Sequence, residues 1–344
     1  MNLFGQTLLI SGIGGFIGLR TTELAIARGM KVRGLGRSAE KVKKAQQLGA
    51  EVIVGSVTDP ATAHKACQGV DIVLHTAGIV QETGQIKHFR EVNVGGTVNM
   101  AKAAKNAGVK TFTHLSSAMV YGFNYPDGVT EEGPLRGENN PFCQTKIEAE
   151  AALLELDTPP GFGIIIIRPG DVYGPGSIPW IVRPIVMMQR KLFALINDGQ
   201  GVINHLYIDN LIDAIFLAME KEAYGEIFNI TDGKNTSWKK YFTNLAEIAG
   251  LSVPISLSKD EAKLFLRVRE QGQKLFRKKP DLLPETMDFL SRPYAYSISK
   301  AQKMLNFEAK IDLEEGMRRT QEWLQITDIH KLLQTYDHTK NYSI

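Results

Sequence analysis

Apolar residues along the first half of the chain form short runs that alternate with segments of helical spacing. The runs are rich in valine, isoleucine and leucine and lack polar alternation, which is typical of strands buried on both faces of a parallel sheet. Strands are accordingly predicted at 7–12, 30–37, 50–57, 70–78, 109–117 and 162–170. Helices are predicted between them at 15–29, 39–49, 59–69, 88–108 and 140–156. This alternation predicts an α/β fold with a doubly wound parallel sheet.

The pattern loosens after about residue 175. Predicted elements beyond that point are helices at 178–193, 236–250, 259–280, 299–305 and 312–326, a short strand and a helix within 202–221, and a strand at 225–231. We therefore divide the chain into a sheet-forming unit (1–175), a smaller interleaved C-terminal region (176–330) and a tail (331–344). Some segments of the C-terminal region should return to the sheet.

Composition narrows the functional classes. The 344 residues carry 40 basic and 37 acidic side chains, a net charge of +3, which argues against a nucleic-acid partner. The two cysteines, Cys67 and Cys143, make neither a disulfide scaffold nor a four-cysteine zinc site, and we expect no metal centre. The sequence shows no signal-peptide pattern and no apolar run of membrane-spanning length. We therefore expect a cytoplasmic protein without a membrane span.

The strongest local motif is SGIGGFIG at 11–18, where Gly12, Gly15 and Gly18 stand between a buried strand and a helix. These glycines suit a tight turn, a close backbone approach to a pyrophosphate and close helix–sheet packing. The first helical residues, Phe16 and Ile17, would add free N–H groups and the positive helix end. A glycine-rich turn without a ligand is the alternative. The strand–turn–helix context favours a dinucleotide-binding Rossmann unit over 1–175.

The end of the second predicted strand bears on which dinucleotide binds. An NAD site usually has an acidic residue there for the ribose hydroxyls, but this chain has Gly36 followed by Arg37. A 2′-phosphate requires a cation, so Arg37, with Arg33 or Ser38, favours NADP, with NAD as the alternative. Arg37 would otherwise be a solvated residue at a strand end.

Further motifs follow in order along the chain. They are HTAG (75–78), NVGGT with Asn93 and Thr97, LSSAMVYG (115–122), NPFCQTK (140–146), RPGDVYGPGS (168–177) and HLYIDNLIDA (205–214). Together with the glycine motif, this set resembles the extended short-chain dehydrogenase/reductase superfamily of NAD(P)-dependent epimerase/dehydratase type, over nearly the whole chain. The resemblance implies a Rossmann fold and a nicotinamide cofactor. It also implies cofactor contacts from Ser56, Val57, Thr76, Ala77, Gly78, Lys146, Pro169 and Val172.

In this superfamily a serine or threonine, a tyrosine and a lysine form the catalytic group. The resemblance assigns the serine to Ser117 and the lysine to Lys146, but the tyrosine position is Phe142, which has no proton to give. Three explanations stay open. In the first, the phenylalanine is an engineered replacement. In the second, the chain is natural and uses another proton donor. In the third, the chain has lost catalysis and keeps cofactor binding. The candidate donors are Tyr121, Tyr173, Cys143 and His205.

The C-terminal half concerns the substrate. Nucleotide-sugar epimerases and dehydratases of the superfamily usually carry an arginine where this chain has Asn204 and His205, and Arg292 does not align cleanly with a second family arginine. The segments 225–242, 284–305 and 313–324 are instead similar to the 3β-hydroxysteroid dehydrogenase-like branch, which implies an apolar alcohol or ketone. The substrate contacts that we expect are Ser117, Tyr173 and His205, although His205 suits a satisfied polar residue at the sheet edge equally well.

We accordingly expect an NADP-dependent oxidoreductase that acts on a largely apolar, steroid-like small molecule. The alternatives are a nucleotide-sugar epimerase or dehydratase and a non-catalytic NAD(P)-binding protein. The resemblance also suggests a homodimer formed through helices 88–107 and 141–156. The basic helix 259–280 has an apolar face, for which we expect packing on the domain; a lid or a peripheral membrane contact is the alternative.

Overall fold

The computed structural model describes residues 1–81, 84–137, 140–275 and 286–334. Within them the strands are β1 (Thr7–Ser11), β2 (Lys31–Gly36), β3 (Glu51–Val54), β4 (Ile72–His75), β5 (Thr111–Leu115), β6 (Gly163–Pro169), β7 (Asp171–Tyr173), β8 (Ala194–Ile196), β9 (Val202–Ile203), β10 (His205–Tyr207), β11 (Glu226–Ile230), β12 (Thr236–Ser237) and β13 (Ile255–Leu257).

The helices in the described ranges are α1 (Phe16–Ala27), α2 (Ala39–Gln47), α3 (Pro60–Cys67), α4 (Ile86–Phe89), α5 (Gly96–Asn106), α6 (Pro141–Leu154), α7 (Arg183–Gln189), α8 (Ile208–Glu220), α9 (Trp238–Ile248), α10 (Lys259–Leu275), α11 (Thr286–Phe289), α12 (Ser299–Leu305) and α13 (Leu313–Gln325). A π-helical turn at Arg90–Gly95 joins α4 to α5, and a second one at Ile178–Val182 leads into α7. A 3-10 turn, Ala118–Tyr121, follows β5.

Seven strands form one parallel sheet in the order β3-β2-β1-β4-β5-β6-β11. The predicted doubly wound α/β fold is therefore confirmed. The sheet order reverses between β1 and β4, and parallel strands bring all their carboxyl ends to one edge. In such sheets ligands bind in the crevice at this reversal, so the fold itself points to the edge beyond β1 and β4.

Alternate residues of each strand enter different cores. Leu8 and Ile10 of β1 belong to the cluster that packs against α1 and α8, whereas Leu9 between them belongs to the cluster under α3, α5 and α6. Because both faces of the sheet are covered by helices, strands such as β1, β4 and β6 carry apolar residues on both faces. This explains why unbroken apolar runs, without alternation, located the strands correctly.

The C-terminal region departs from the sequence-based prediction in its small strands. β11 joins the main sheet beside β6, while three further two-stranded pairs, β7 with β10, β8 with β13 and β9 with β12, lie outside it. The helix predicted at 178–193 is instead a π-helical turn followed by α7, because Pro184 lacks an N–H and is accommodated in the first turn of α7. Residues 276–280 of the predicted basic helix lie outside the described residues.

Candidate functional site

The glycine turn has the geometry of a phosphate cradle. Gly12 has φ +78°, which an L side chain rarely adopts, and the Gly15 N–H donates to its carbonyl at 2.9 Å. A Cβ at Gly18 would lie 2.8 Å from the Ile13 Cα and would overlap the Gly12 carbonyl. Gly15 caps α1 without a side-chain hydrogen bond, so Phe16 and the next residues start the helix with N–H groups directed out of its end. The turn therefore fits the pyrophosphate of a dinucleotide.

The loop after β4 packs against this turn. The Thr76 hydroxyl donates to the Ser11 carbonyl at 2.7 Å, and a Cβ at Gly12 would lie 2.8 Å from the Thr76 Oγ1 atom. Ala77 follows, and a Cβ at Gly78 would lie 3.8 Å from the Lys146 ammonium nitrogen. Thr76, Ala77 and Gly78 thus connect the glycine turn with Lys146, as a nicotinamide dinucleotide lying across the sheet edge would require.

Asn93 fixes that loop from the π-helical turn. Its Oδ1 accepts from the Ile79 N–H at 2.7 Å, and its Nδ2 donates to the Ile79 carbonyl and to the Thr145 hydroxyl, each at 3.1 Å. The side chain is 1% exposed. The motif that contains Asn93 is recognisable in the sequence, but the role of the residue is not. The structure makes it a positioning residue that ties the β4 loop to α6.

Two cations lie beside the end of β2. Ser38 caps α2 by accepting from the Lys41 N–H at 3.3 Å, and the first turn of α2 approaches so closely that a Cβ at Gly14 would lie 2.9 Å from the Lys41 Cβ. Burial first, and then the charge of Arg37, lower the pKa of Lys41. Arg37 and Lys41 therefore stand together next to the glycine turn, and Lys41 was missed by the sequence analysis.

Arg33 does not join them. Its Nε donates to Glu51 at 2.8 Å and its Nη1 donates to the Ala66 carbonyl at 3.2 Å. Its guanidinium is thus bound between β3 and α3, which corrects the expectation that Arg33 accompanies Arg37 at a 2′-phosphate.

The other expected cofactor contacts follow carboxyl ends of strands at the same edge. The Ser56 hydroxyl shares a 2.8 Å hydrogen bond with Thr58, and the Val57 carbonyl accepts from Asn99 at 2.7 Å. Pro169 ends β6 and Val172 lies in β7. Beyond β7, a Cβ at Gly176 would lie 3.5 Å from the Phe16 ring, so the segment after β7 lies over the start of α1.

Phe142 and Lys146 of α6 lie beside the end of β5, and Ser117 follows that strand end two residues later. The Ser117 hydroxyl accepts from the Met119 N–H at 3.1 Å and begins the 3-10 turn. Lys146 donates to the Leu115 carbonyl at 2.7 Å, and its nitrogen lies 5.9 Å from the centre of the Phe142 ring. Burial lowers the pKa of the Lys146 ammonium to about 8.

Helix α6 positions the side chains of Phe142 and Lys146. Asn140 accepts from the N–H groups of Phe142 and Cys143 and Pro141 occupies the first helical position, so the helix start is well defined. Phe142 and Lys146 are then one turn apart on one face. The Phe142 ring is 6% exposed and packs in an apolar cluster. Its neighbours there are Ile79, Phe89, Cys143, Val92 and Met119.

A buried polar network lies directly behind this site. Arg168 of β6 pairs with Glu150 of α6 at 2.6 Å and donates to the Tyr121 hydroxyl at 2.6 Å, and Ser116 donates to Glu150. The Tyr121 hydroxyl in turn donates to Asn229 at 2.7 Å. Burial raises the pKa of Tyr121 to about 12. The Tyr121 hydroxyl therefore already has two buried hydrogen-bond partners, which makes it a weaker candidate for the substitute proton donor. No pattern in the sequence revealed this network.

The structure does not bring Tyr173 to the site. The side chain is fully buried in the main core, and a Cβ at Gly316 would overlap its hydroxyl oxygen. Its hydroxyl has no hydrogen-bond partner among the described residues, and burial raises its pKa well above the usual range. Tyr173 was expected to contact substrate because the motif gave its position along the chain but not the side of β7 on which it lies.

His205 is likewise a structural residue. Its Nδ1 lies 2.9 Å from Asp232 and its Nε2 lies 2.7 Å from the Thr236 hydroxyl, and the side chain is 2% exposed. Both ring nitrogens are thus occupied inside the protein. This corrects the expectation that His205 contacts substrate and agrees with the alternative of a satisfied polar residue.

Arg292 and Asn204, which stand at or near the two positions considered for binding a phosphate, also have partners inside the protein. Arg292 is 1% exposed and pairs with Asp171 at 2.7 Å. Asn204 accepts from the Tyr296 N–H at 2.9 Å and donates to the Tyr125 hydroxyl at 3.2 Å. Neither side chain presents a free charge at the sheet edge.

Comparison with known proteins defines the family. Residues 8–231 match the model of the NAD dependent epimerase/dehydratase family, which is more than half of the chain. The chain belongs to this family. The resemblance inferred from the motifs is thereby confirmed.

Proteins similar in sequence to this chain include reductases. A 4-hydroxy-2-methyl-3-oxo-4-farnesyl-3,4-dihydroquinoline-1-oxide ketoreductase of Stigmatella aurantiaca is 26% identical over 90% of this chain and 93% of the relative. A 3 beta-hydroxysteroid dehydrogenase/Delta 5→4-isomerase of Mycobacterium tuberculosis is 27% identical to this chain, in an alignment that covers 90% of this chain and 88% of the relative. The crystal structure of a UDP-glucuronic acid 4-epimerase from Bacillus cereus in complex with NAD superposes with a TM-score of 0.74 at 22% identity, covering 93% of this chain and 99% of that one, and shows the same fold.

In this member of the NAD dependent epimerase/dehydratase family, no helix of the described ranges has the length and apolar character needed to cross a bilayer.

Proposed function

We propose that the chain is an NADP-dependent oxidoreductase that moves a hydride between the nicotinamide and a hydroxyl or ketone carbon of a largely apolar substrate. Membership of an NAD dependent family and the ketoreductase and dehydrogenase relatives support a redox enzyme. The observation that carries the choice of substrate is the Asp171–Arg292 pair, because it neutralises the arginine that the sequence offered for a sugar-nucleotide phosphate.

Different residues of the chain would bind the cofactor and polarise the substrate. Gly12, Gly15 and Gly18 would hold the pyrophosphate, and Lys146 the nicotinamide ribose. When bound, the nicotinamide supplies or accepts the hydride. Ser117, at the start of the 3-10 turn, would donate to the substrate oxygen and polarise it.

The preference for NADP rests on Arg37 and Lys41. They stand beside the glycine turn at the end of β2, where an NAD enzyme usually has a carboxylate. Two cations and the first turn of α2 suit a phosphate of charge near −2 far better than a ribose hydroxyl.

A specific observation favours a second candidate function. Phe142 is packed among apolar side chains where the superfamily places the phenol that transfers the proton. With no proton at that position, the chain could bind the dinucleotide without turnover and act as a cofactor-binding protein.

Restoring the phenol decides between the two. Phe142→Tyr adds one hydroxyl at the end of a ring that Lys146 already approaches, and a positioned acid or base contributes about 10²–10⁴-fold in rate. We expect deuteride transfer from 4-deuterated NADPH to an apolar ketone to rise by a factor in that range. NADPH affinity, measured by calorimetry, should change little, whereas Lys146→Ala should weaken it in both backgrounds.

Three results would redirect the proposal. Rapid transfer by the unaltered chain would mean that a group other than a tyrosine at 142 moves the proton. No gain on any ketone that demonstrably binds would favour the cofactor-binding protein. Micromolar binding of a UDP- or dTDP-sugar, measured by the same calorimetry, would favour an epimerase or dehydratase.

A further inference from the structure

Four aromatic side chains form a cluster above the carboxyl edge of the sheet. Trp180 lies 5.9 Å from Trp238 and 6.0 Å from Phe289, and Phe123 lies 5.5 Å from Phe289, measured between ring centres. Trp238 is almost fully buried, whereas Phe123, Trp180 and Phe289 are half-buried. We call these four residues the aromatic cluster; its partly exposed rings form an apolar wall.

The chain connects this wall with the candidate site on two sides. Phe123 closely follows Ser117, on the loop beyond the 3-10 turn. Trp180 lies in the π-helical turn that continues from Gly176, whose Cα faces the Phe16 ring at the start of α1. The chain therefore links the aromatic cluster directly to the loop that follows Ser117 and to the segment that lies over the start of α1.

The base of the aromatic cluster is electrically neutral. The Arg292 guanidinium lies 3.9 Å from the centre of the Phe289 ring and 5.4 Å from that of Trp238, but its charge is paired with Asp171. An ion pair of this kind holds the aromatic rings in place without attracting a phosphate. The wall accordingly suits a hydrocarbon group rather than an anion.

We propose that the aromatic cluster binds the hydrocarbon part of the substrate that extends beyond the reacting carbon. This inference rests on the proposed function, because it takes the reacting ketone or alcohol to lie at Ser117. It makes Trp180, Phe123 and Phe289 specificity-determining residues that select substrates by the size of their apolar group. Small ketones gain little from the wall, and long or multi-ring ketones gain most.

The test compares two methyl ketones, 2-butanone and 2-decanone, by calorimetry on the NADP⁺-loaded protein. We expect the unaltered chain to bind 2-decanone more tightly. Trp180→Ala should weaken 2-decanone binding about tenfold while leaving 2-butanone within about twofold, because only the longer ketone reaches the wall. Phe289→Ala should act in the same direction. The matched control is Trp323→Ala on α13, a half-buried tryptophan packed against the main core, which should affect neither ketone.

Trp180→Phe, which keeps an aromatic face, should retain most of the affinity and guards against a folding defect in the alanine variant, as does a melting temperature for each protein. Equal losses for both ketones, equal effects of Trp180→Ala and Trp323→Ala, or no binding of 2-decanone to the unaltered chain would overturn the proposal. Hydride transfer is a separate readout. If 2-decanone binds through the aromatic cluster but no ketone is reduced even after Phe142→Tyr, the proposed function fails and the binding site stands.

Discussion

The proposed preference for NADP depends on single charges beside the end of β2. If Arg37 and Lys41 both face the 2′-phosphate, each charge-assisted contact should contribute about 1–3 kcal/mol. Arg37→Ala and Lys41→Ala should each reduce the preference for NADPH over NADH, and the double variant should bind the two cofactors alike. Dissociation constants for both cofactors check this. Arg33→Ala is the control, because Arg33 is bound to Glu51 and should leave the ratio unchanged. An unaltered chain without any preference would contradict the assignment.

Two buried histidines make stability depend on pH. Burial lowers the pKa of His75 to about 3 and that of the neighbouring His114 well below its usual value, and their rings lie 5.6 Å apart. Below about pH 6.5 the unfolded chain therefore binds protons that the folded chain does not. The free energy of unfolding should fall as pH decreases from about 6.5 toward 3, by about 1.4 kcal/mol per pH unit for His75, and His114 should add to this loss in the same direction.

His114 allows a direct check, because both of its ring nitrogens lack a hydrogen-bond partner among the described residues. His114→Leu should leave stability at pH 7 equal or higher, since an unpaired buried polar group is removed, and should reduce the loss between pH 7 and pH 5. Urea unfolding at the two pH values measures both effects. His64→Leu, at an exposed position, should not alter the pH dependence. A full loss retained in His114→Leu would assign the acid sensitivity to other groups.

The tight turn between β1 and α1 can be tested as an element with a matched pair of glycines. Gly12 and Gly5 have nearly the same φ, +78° and +77°, but only at Gly12 would a Cβ meet other atoms. Gly5→Ala should therefore cost only the conformational penalty of about 1–2 kcal/mol. Gly12→Ala should cost more and should also weaken NADP⁺ binding strongly, because Thr76 or the turn must move. Thermal unfolding and calorimetry separate the two effects, and equal behaviour of the variants would contradict the close packing of the turn.

Elements differed in how well the sequence predicted them. Residues 162–170 could be assigned to a strand because both faces of β6 are buried and four consecutive isoleucines precede Arg168. Strands β9 and β12 have two residues each and pair with one another, so no local sequence pattern predicts them. Within the site, the family resemblance implies the roles proposed for Ser117 and Lys146. The roles of Tyr173 and His205 could not be predicted, because they depend on which distant residues pack around a side chain.

At the scale of the whole molecule, the Glu150–Arg168 pair joins α6 to the sheet and, through Tyr121, to Asn229 of β11. Removing one partner of a buried pair typically costs about 3–5 kcal/mol. Glu150→Gln should therefore lower the free energy of unfolding by an amount in that range. Glu148 on the same helix pairs with Arg90 near the surface, so Glu148→Gln should cost about 0–1 kcal/mol. Chemical denaturation of the two variants tests this, and similar losses would mean that the buried pair contributes no more than the exposed one.

The position of β11 has a consequence for synthesis of the protein on the ribosome. The isoleucine-rich strand β6 is complete at residue 169, but its neighbour on the outer side is not available until residue 230 has been made. At usual elongation rates the nascent chain would expose the backbone edge of β6 for about 3–12 seconds. An apolar strand with an open edge is a template for pairing with other chains. We therefore expect chaperones to bind the emerging polypeptide in this interval, and a chain cut at residue 175 to precipitate rather than fold alone.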